Sequence, residues 1–438
     1  MANDAFRINI YGMILISSFL FLILGRLSFA EELSGLLGAV LEQSPKIKSA
    51  HLDVAKAEFE IRQATGGRLP QVTASGAYGY QEMNPESLAD TSLNTKHLQV
   101  KTTQMLFDGH ETDYSEAISR LNHEKAVLSL EQIRQQLILD AATAYLGVVK
   151  AVGQLAYARQ SEENIRRQTG MEEVRVQHGS GVTTDVLQIK TQLSGSMAAR
   201  AAAEGAVVLA SNQFARVFGF LPVAPEKLVE PGLTEETLPE KMEEAVAQAL
   251  EHNLSLKIAA KTVEVLQIQK KLVQSTFYPR LELVGQADFK SDYEGVIGHK
   301  SEYLGSVNFT LPLYSGGRDL ARLRAADSGF ESAQQLLGEQ RRLIEETVRN
   351  AWQSMETARE TFNYLDTQKD IAGEFLDLAR KERGLGRRSL IDVLNGETHY
   401  INATSRTVAA RNDLLANRYQ LLFLMGKIDL QVIDGSSS

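Results

Sequence analysis

Eight histidines stand at 51, 97, 110, 123, 178, 252, 299 and 399, with no pair four residues apart and no His-Glu-x-x-His word. Zinc chemistry on a helix needs that spacing, because it puts two imidazoles on one face. These histidines therefore read as scattered surface or packing residues. The Gly-x-Ser-x-Gly turn of a serine nucleophile and the phosphate-cradling P-loop pattern are absent. Gly384-x-Gly386 lacks the third glycine and the leading strand of a dinucleotide fingerprint. Two pairs of adjacent acids, Glu162-Glu163 and Glu345-Glu346, could do acid–base work, but both fall in long helical stretches where charge is ordinarily the wet face. Cysteine is missing, which excludes thiolate nucleophiles, thiolate metal sites, disulfides and a lipid-modified N-terminal Cys. No enzyme, cofactor or metal is expected. What remains is polar and charged residues beside two glycine-bearing breaks, Gly179-Ser180-Gly181 and Gly384-Leu385-Gly386. Thr184 and Asp185 follow the first, and Arg383, Arg387, Arg388 and Asp392 surround the second.

Those breaks lie in a chain written twice. Leu41-Glu42-Gln43 and Lys48 recur as Leu250-Glu251-His252 and Lys257, and Leu69-Pro70 as Tyr278-Pro279, at an offset of 209. Leu106-Phe107-Asp108-Gly109 recurs as Leu313-Tyr314-Ser315-Gly316, and Asp185-Val186-Leu187 as Asp392-Val393-Leu394, at 207. Landmarks in one order at nearly constant spacing mark a duplicated half-molecule rather than a solenoid. The expected organisation is a first repeat over 31–222, a proline-rich linker over 223–239 and a second repeat over 240–438.

Each repeat opens with a helix stopped by proline, after which the period changes to two. Strands are expected at about 71–82 and 97–107, then at about 280–290 and 303–312, with polar loops over Met83–Thr95 and Ser291–Glu302. About 10 residues with one apolar face is what a tilted strand needs to cross a bilayer, although an ordinary half-buried hairpin shows the same alternation. Four strands cannot close, since membrane barrels begin at about eight, so membrane-spanning strands would require several chains to share one barrel. Proline-free helices fill the rest. Ile133, Leu137, Ala141, Ala144, Val148, Val152 and Leu155 recur every ~3.67 residues, the rhythm of a nearly straight helix. Helical hairpins are expected over about 111–218 and 318–425, turning at the two glycine breaks. The fold class expected is mainly α with a β part, which is transmembrane if the strands span a bilayer.

A net charge of -9 argues against binding nucleic acid, which draws on concentrated positive charge. Aromatics are only 7 % and Trp352 is the sole tryptophan, which favours Ala-rich helix packing over a large aromatic core. Met13 to Leu24 is an apolar run, and Ser28-Phe29-Ala30 precedes Glu31, so 1–30 reads as a signal peptide cleaved between Ala30 and Glu31; an uncleaved anchor is the alternative. Cleavage removes Asp4, Arg7 and Arg26 and leaves the chain one charge more acidic. No second run approaches the length of a membrane-spanning helix.

This organisation resembles the TolC family of outer membrane channel proteins over nearly all of the mature chain. The most specific words are Gly181-Val-Thr-Thr-Asp185-Val-Leu and Gly386-Arg-Arg-Ser-Leu-Ile-Asp392-Val-Leu, supported by Leu69-Pro70, Tyr278-Pro279 and Leu313-Tyr-Ser-Gly-Gly317. The resemblance implies a homotrimer in which four strands from each chain form one 12-stranded barrel in outer membrane lipid. A periplasmic α-helical barrel continues it. It also implies two partners at the helical tips, a periplasmic adaptor and an inner-membrane ABC or proton-driven transporter.

The same resemblance places a gate at the tips. Thr184 and Asp185 would face Arg383 and Arg388, and an Asp185–arginine pair is a charge-assisted contact that small helix shifts can break. Asp392 would set a ring of three carboxylates favouring cations. Asn395 stands where a second acid is usual, and Arg383 where a tyrosine is, so with Arg387 and Arg388 this tip is unusually basic. The adaptor would meet the turns at Gly179, Gly181, Val182, Gly384, Gly386 and Arg387. Three functions stay open: an export conduit for type I protein secretion, which the second turn most resembles; a drug or metal efflux conduit; and a periplasmic coiled-coil scaffold.

Overall fold

The computed structural model describes residues 33–83, 91–231 and 238–430. The expected signal peptide with its Ala30–Glu31 junction lies outside the described residues, as does the middle of the expected linker.

In chain order the elements are α1 (Leu33–Gln43), α2 (Pro45–Thr65), β1 (Gln71–Met83), β2 (Thr91–Phe107), α3 (Glu111–Gln177) and α4 (Thr183–Phe218). The same order follows as α5 (Met242–His252), α6 (Leu254–Ser275), β3 (Arg280–Tyr293), β4 (Val296–Thr310), α7 (Arg318–Gly384) and α8 (Leu390–Leu424). The long helices match in length, 67 and 36 residues in α3 and α4 against 67 and 35 in α7 and α8. The compact units are not the two sequence repeats. One comprises the N-terminal part to Ile47, Ile133–Asn253 and the chain from Ile344; the other comprises Lys48–Gln132 and Leu254–Leu343, so each draws on both repeats.

The second unit holds one antiparallel sheet in the order β1-β2-β3-β4. Its register places Val72, Thr102, Gly285 and Gly305 in one row and Ala74, Val100, Ala287 and Tyr303 in the next. Directly opposed residues share a face, so alternation writes one apolar and one polar side across all four strands. The apolar side is bare: Tyr303 is 76 % exposed and Phe309 65 %. On the polar side Asp288 accepts from Gln99 Nε2 at 3.0 Å and Gln286 Nε2 at 2.6 Å and is bonded to His97 Nε2 at 2.7 Å, so His97 is a positioned residue rather than a scattered one.

Both expected hairpin loops are shorter than the sequence suggested. The ladder continues to Met83↔Thr91 and to Tyr293↔Val296, because each added rung satisfies backbone groups that a loop would leave to water. Glu294 and Gly295, with φ of 54° and 74°, close the second hairpin as a two-residue turn.

In the other unit the expected α3 stripe is largely buried, with Leu137, Ala141, Ala144, Val148 and Leu155 inside. It broadens to include Ile138, Ala142 and Tyr145. An 18-residue window of α3 reaches a mean hydropathy of 1.2, contrary to the expectation that no such run follows the N-terminus, but 56 % of that window is buried and belongs to the core. Tyr145 donates to the Val229 carbonyl at 2.7 Å and Arg411 pairs with Glu230 at 2.7 Å, so the N-terminal side of the linker is fastened to α3 and α8.

Candidate functional site

Both long hairpins turn by the same backbone device. At the end of α3, Gly179 N–H donates to Val176 O at 3.0 Å and Ser180 N–H to Arg175 O at 2.9 Å. At the end of α7, Gly386 N–H donates to Arg383 O at 2.8 Å and Arg387 N–H to Glu382 O at 2.9 Å. This is the Schellman arrangement, which requires a left-handed residue just past the helix, and Gly179 (φ 72°) and Gly386 (φ 71°) supply it. The structural counterpart of Gly386 is therefore Gly179, not Gly181 as the sequence words suggested. Gly181 has its own reason: a Cβ there would lie 2.8 Å from Val176 Cγ2 and 3.0 Å from Val176 N. Gly384 has no atom within 4 Å of such a position.

The returning helices begin alike. Val182 and Ser389 are the N-cap residues, which makes Asp185 and Asp392 the third helical residue of α4 and α8. Ser389 Oγ accepts from Asp392 N–H at 3.1 Å, whereas Val182 offers no side-chain cap. A carboxylate in the first turn faces unpaired N–H groups and is stabilised there whatever else it does.

The charges sort differently from expectation. Arg388 Nε donates to Glu382 at 2.7 Å and its guanidinium lies 5.2 Å over the Phe375 ring, so it is drawn back onto α7. Glu382 lies six residues away across a turn already fixed by backbone bonds, so this pair closes at less entropic cost than one between hairpins. Among the described residues of this one chain Asp185, Arg383 and Arg387 have no ion-pair partner, so no Asp185–arginine bridge forms within a protomer. The two turns still meet: Gly181, Asp185, Arg175, Arg383 and Arg388 line one hollow of about 410 Å³. Thr184, Val182, Gly179, Gly384, Gly386 and Arg387 are exposed around it, and Asp392 and Asn395 are exposed one turn apart on α8.

Behind the turns lies a layer that sequence reasoning missed. Glu397 on α8, only 8 % exposed, accepts from Gln168 Nε2 of α3 at 2.8 Å and from Arg380 of α7 at 2.7 Å, tying three helices together. Ile165, Ile189 and Leu394 bury one apolar contact among α3, α4 and α8, and Leu376, Ala379 and Val393 bury another between α7 and α8. Glu162, read from sequence as wet-face charge, is buried and holds Arg166 and Arg200. Lys190 of α4 reaches Glu173 of α3 at 2.7 Å. Glu397 follows Asp392 by five residues and shares no word with its partners, so only its place beside the turn hinted at a role.

A family model described as "Outer membrane efflux protein" matches residues 36–219 and again 245–427. Outer membrane efflux protein BepC of Brucella suis biovar 1 (strain 1330) is 24 % identical over 405 residues, which cover 92 % of this chain and 87 % of BepC. Outer membrane protein TolC of Escherichia coli (strain K12) is 25 % identical over 422 residues, with 92 % and 84 % covered. Alkaline protease secretion protein AprF of Pseudomonas aeruginosa is 26 % identical over 350 residues, with 78 % and 70 % covered. Among solved structures, the CmeC outer membrane channel of Campylobacter jejuni superposes with a TM-score of 0.79 at 14 % identity, covering 92 % of this chain and 88 % of that one.

Proposed function

The chain belongs to the outer membrane efflux protein family, the TolC-type channels of the outer membrane, and on that premise we propose that it is one third of an export conduit. The observation that carries the proposal is the four-stranded sheet, whose edges β1 and β4 are open and whose apolar side is bare. Open edges cannot face lipid, because no water is there to satisfy their backbone groups. Three copies supply twelve strands, and pairing β1 of one to β4 of the next closes a barrel with its polar side inward. The helices carry the bore into the periplasm. In this reading movement is driven by partners, as the family implies: an inner-membrane transporter and a periplasmic adaptor that meets Gly179, Gly181, Val182, Gly384, Gly386 and Arg387.

Thr184, Asp185, Arg383, Arg388, Asp392 and Asn395 form the constriction in this reading, with the Glu397 layer holding it closed from behind. The proposed cargo is a polypeptide delivered by a type I ABC transporter, supported by the form of the second turn and by a relative named for protease secretion. Drug or metal efflux is the second reading, favoured by the relative named an efflux protein, which aligns over more of the chain. Planar bilayers test the conduit: purified protein should give discrete, cation-preferring steps, and a protein that never conducts overturns it. Deleting the gene separates the cargoes. Loss of a large exported polypeptide supports secretion, and intact secretion with raised drug or metal sensitivity supports efflux.

A further inference from the structure

Toward its hairpin end the bare side of the sheet carries a row that is not apolar. Tyr78, Lys96, Ser291 and His299 are successive partners across β1 to β4, so they share the face that carries Leu281, Phe289, Tyr303 and Phe309. From Leu281 to Ser291 strand β3 advances ten residues, about 34 Å along its axis, or about 26 Å of depth at a tilt near 40°. Membrane barrels expose an apolar band of about 25 Å bounded by aromatic girdles. With the helices on the periplasmic side, this row falls at the outer edge of the hydrocarbon, where Tyr78 and Tyr80 are both exposed.

Charge is handled differently on the two sides. On the polar side Lys290 and Lys300 share Glu302, and His97 holds Asp288. On the lipid side Lys96 and His299 are exposed and, among the described residues, neither has an ion-pair partner. Asp292 lies beside the row: its carboxylate accepts from Gly298 N–H at 2.9 Å and from Ser291 Oγ at 3.2 Å within its own hairpin, and its charge also reaches Lys96 and His299 without forming an ion pair with either. An open hollow of about 640 Å³ covers this row and the next one inward, Gly76–Leu98–Phe289–Ser301, with the row of Ala77 and His97 beneath as floor. Glycine and serines make the room, Leu98 and Phe289 give an apolar wall, and the rim carries the Lys96 ammonium and the His299 imidazole.

Cations beside hydrocarbon are costly unless an anion accompanies them, and basic residues at a membrane surface recognise anionic headgroups. We propose that this hollow seats the phosphorylated headgroup of an outer-leaflet lipid, with Lys96 and His299 on a phosphate and Tyr78, Leu98 and Phe289 against its apolar base. The proposal rests on the barrel reading above.

The test titrates purified trimer in detergent with diphosphorylated lipid A, dephosphorylated lipid A or inorganic phosphate, counting bound lipid by native mass spectrometry. Diphosphorylated lipid A should bind at one per protomer, the dephosphorylated form at least tenfold more weakly, and inorganic phosphate at millimolar concentration should displace neither. Lys96→Gln with His299→Gln should weaken binding roughly tenfold, through loss of one lysine charge and one imidazole hydrogen bond at the surface. Lys96→Arg with His299→Lys should retain it. Equal binding of the two lipids, unaltered binding by the glutamine variant, or displacement by inorganic phosphate overturns the site. Failure of the barrel reading shows separately, as a species that is not a trimer before lipid is added.

Discussion

Replacing Glu397 with glutamine should loosen the tip without reshaping it. The carboxylate is buried and accepts from Gln168 at 2.8 Å and from Arg380 at 2.7 Å. Glutamine keeps the volume and an oxygen for Gln168, so the loss is the charge-assisted contact to Arg380. Such a contact is worth about 1.5–3 kcal/mol when fully buried, but the Arg380 side chain is 50 % exposed and screened by water, which reduces the estimate to about 1 kcal/mol. If three protomers close one entrance, as proposed, the closed state should lose about 3 kcal/mol, a shift on the order of 100-fold in its equilibrium with open states. Single-channel recording in planar bilayers reads this as a higher open fraction or a larger conductance step. Glu163→Gln is the matched control, because Glu163 is 71 % exposed and only 3.8 Å from Arg167, and it should behave as wild type. If an intact Glu397→Gln trimer conducted like the control, the three-helix tie would be structural only and the closed tip would be held elsewhere.

Gly181→Ala forces a Cβ to 2.8 Å from Val176 and should cost about 1–3 kcal/mol, whereas Gly384→Ala meets nothing and should be neutral or slightly stabilising; thermal melts of the two trimers should separate accordingly. Asp392→Asn should lower the cation preference measured by reversal potential under a salt gradient, and an unchanged permeability ratio removes Asp392 from the constriction. Burial raises the Glu230 carboxyl above its ordinary range against the lowering pull of Arg411. A raised acid holds its proton more tightly folded than unfolded, so wild-type stability falls as pH climbs from the ordinary carboxylate range through the raised one. Glu230→Gln should therefore narrow the difference between melting temperatures at acid and neutral pH, and an unchanged difference would refute that assignment.

Local chemistry made much of the fold legible. Proline after each opening helix, period-two alternation in the strands and the 3.67-residue stripe of α3 each act over a few residues, and the elements appear where those signals lie. The strand ends were less clear, because hairpin extension depends on cross-strand pairing. Glu294-Gly295 was nonetheless a readable two-residue turn of the kind that favours Asn-Gly and Asp-Gly. At the tip, glycines marked both turns, but which glycine takes the left-handed position follows from where the last helical carbonyls are satisfied, and that picks Gly179. Arg388 illustrates a competition that sequence does not decide: Asp185 was the partner suggested by resemblance, and Glu382 with Phe375 won by proximity. Glu397 and Gln168 are 229 residues apart, and Glu162 meets Arg200 across a hairpin, so their burial is a property of helix packing.

The central claim is that the sheet closes only with strands from two further copies, and the mass of the native particle tests it most directly. Protein extracted from outer membranes should be measured by size-exclusion chromatography with light scattering, correcting for bound detergent. Three chain masses in one particle is the expected result. A folded monomer, or a species found only in the soluble or inner-membrane fraction, would contradict barrel sharing.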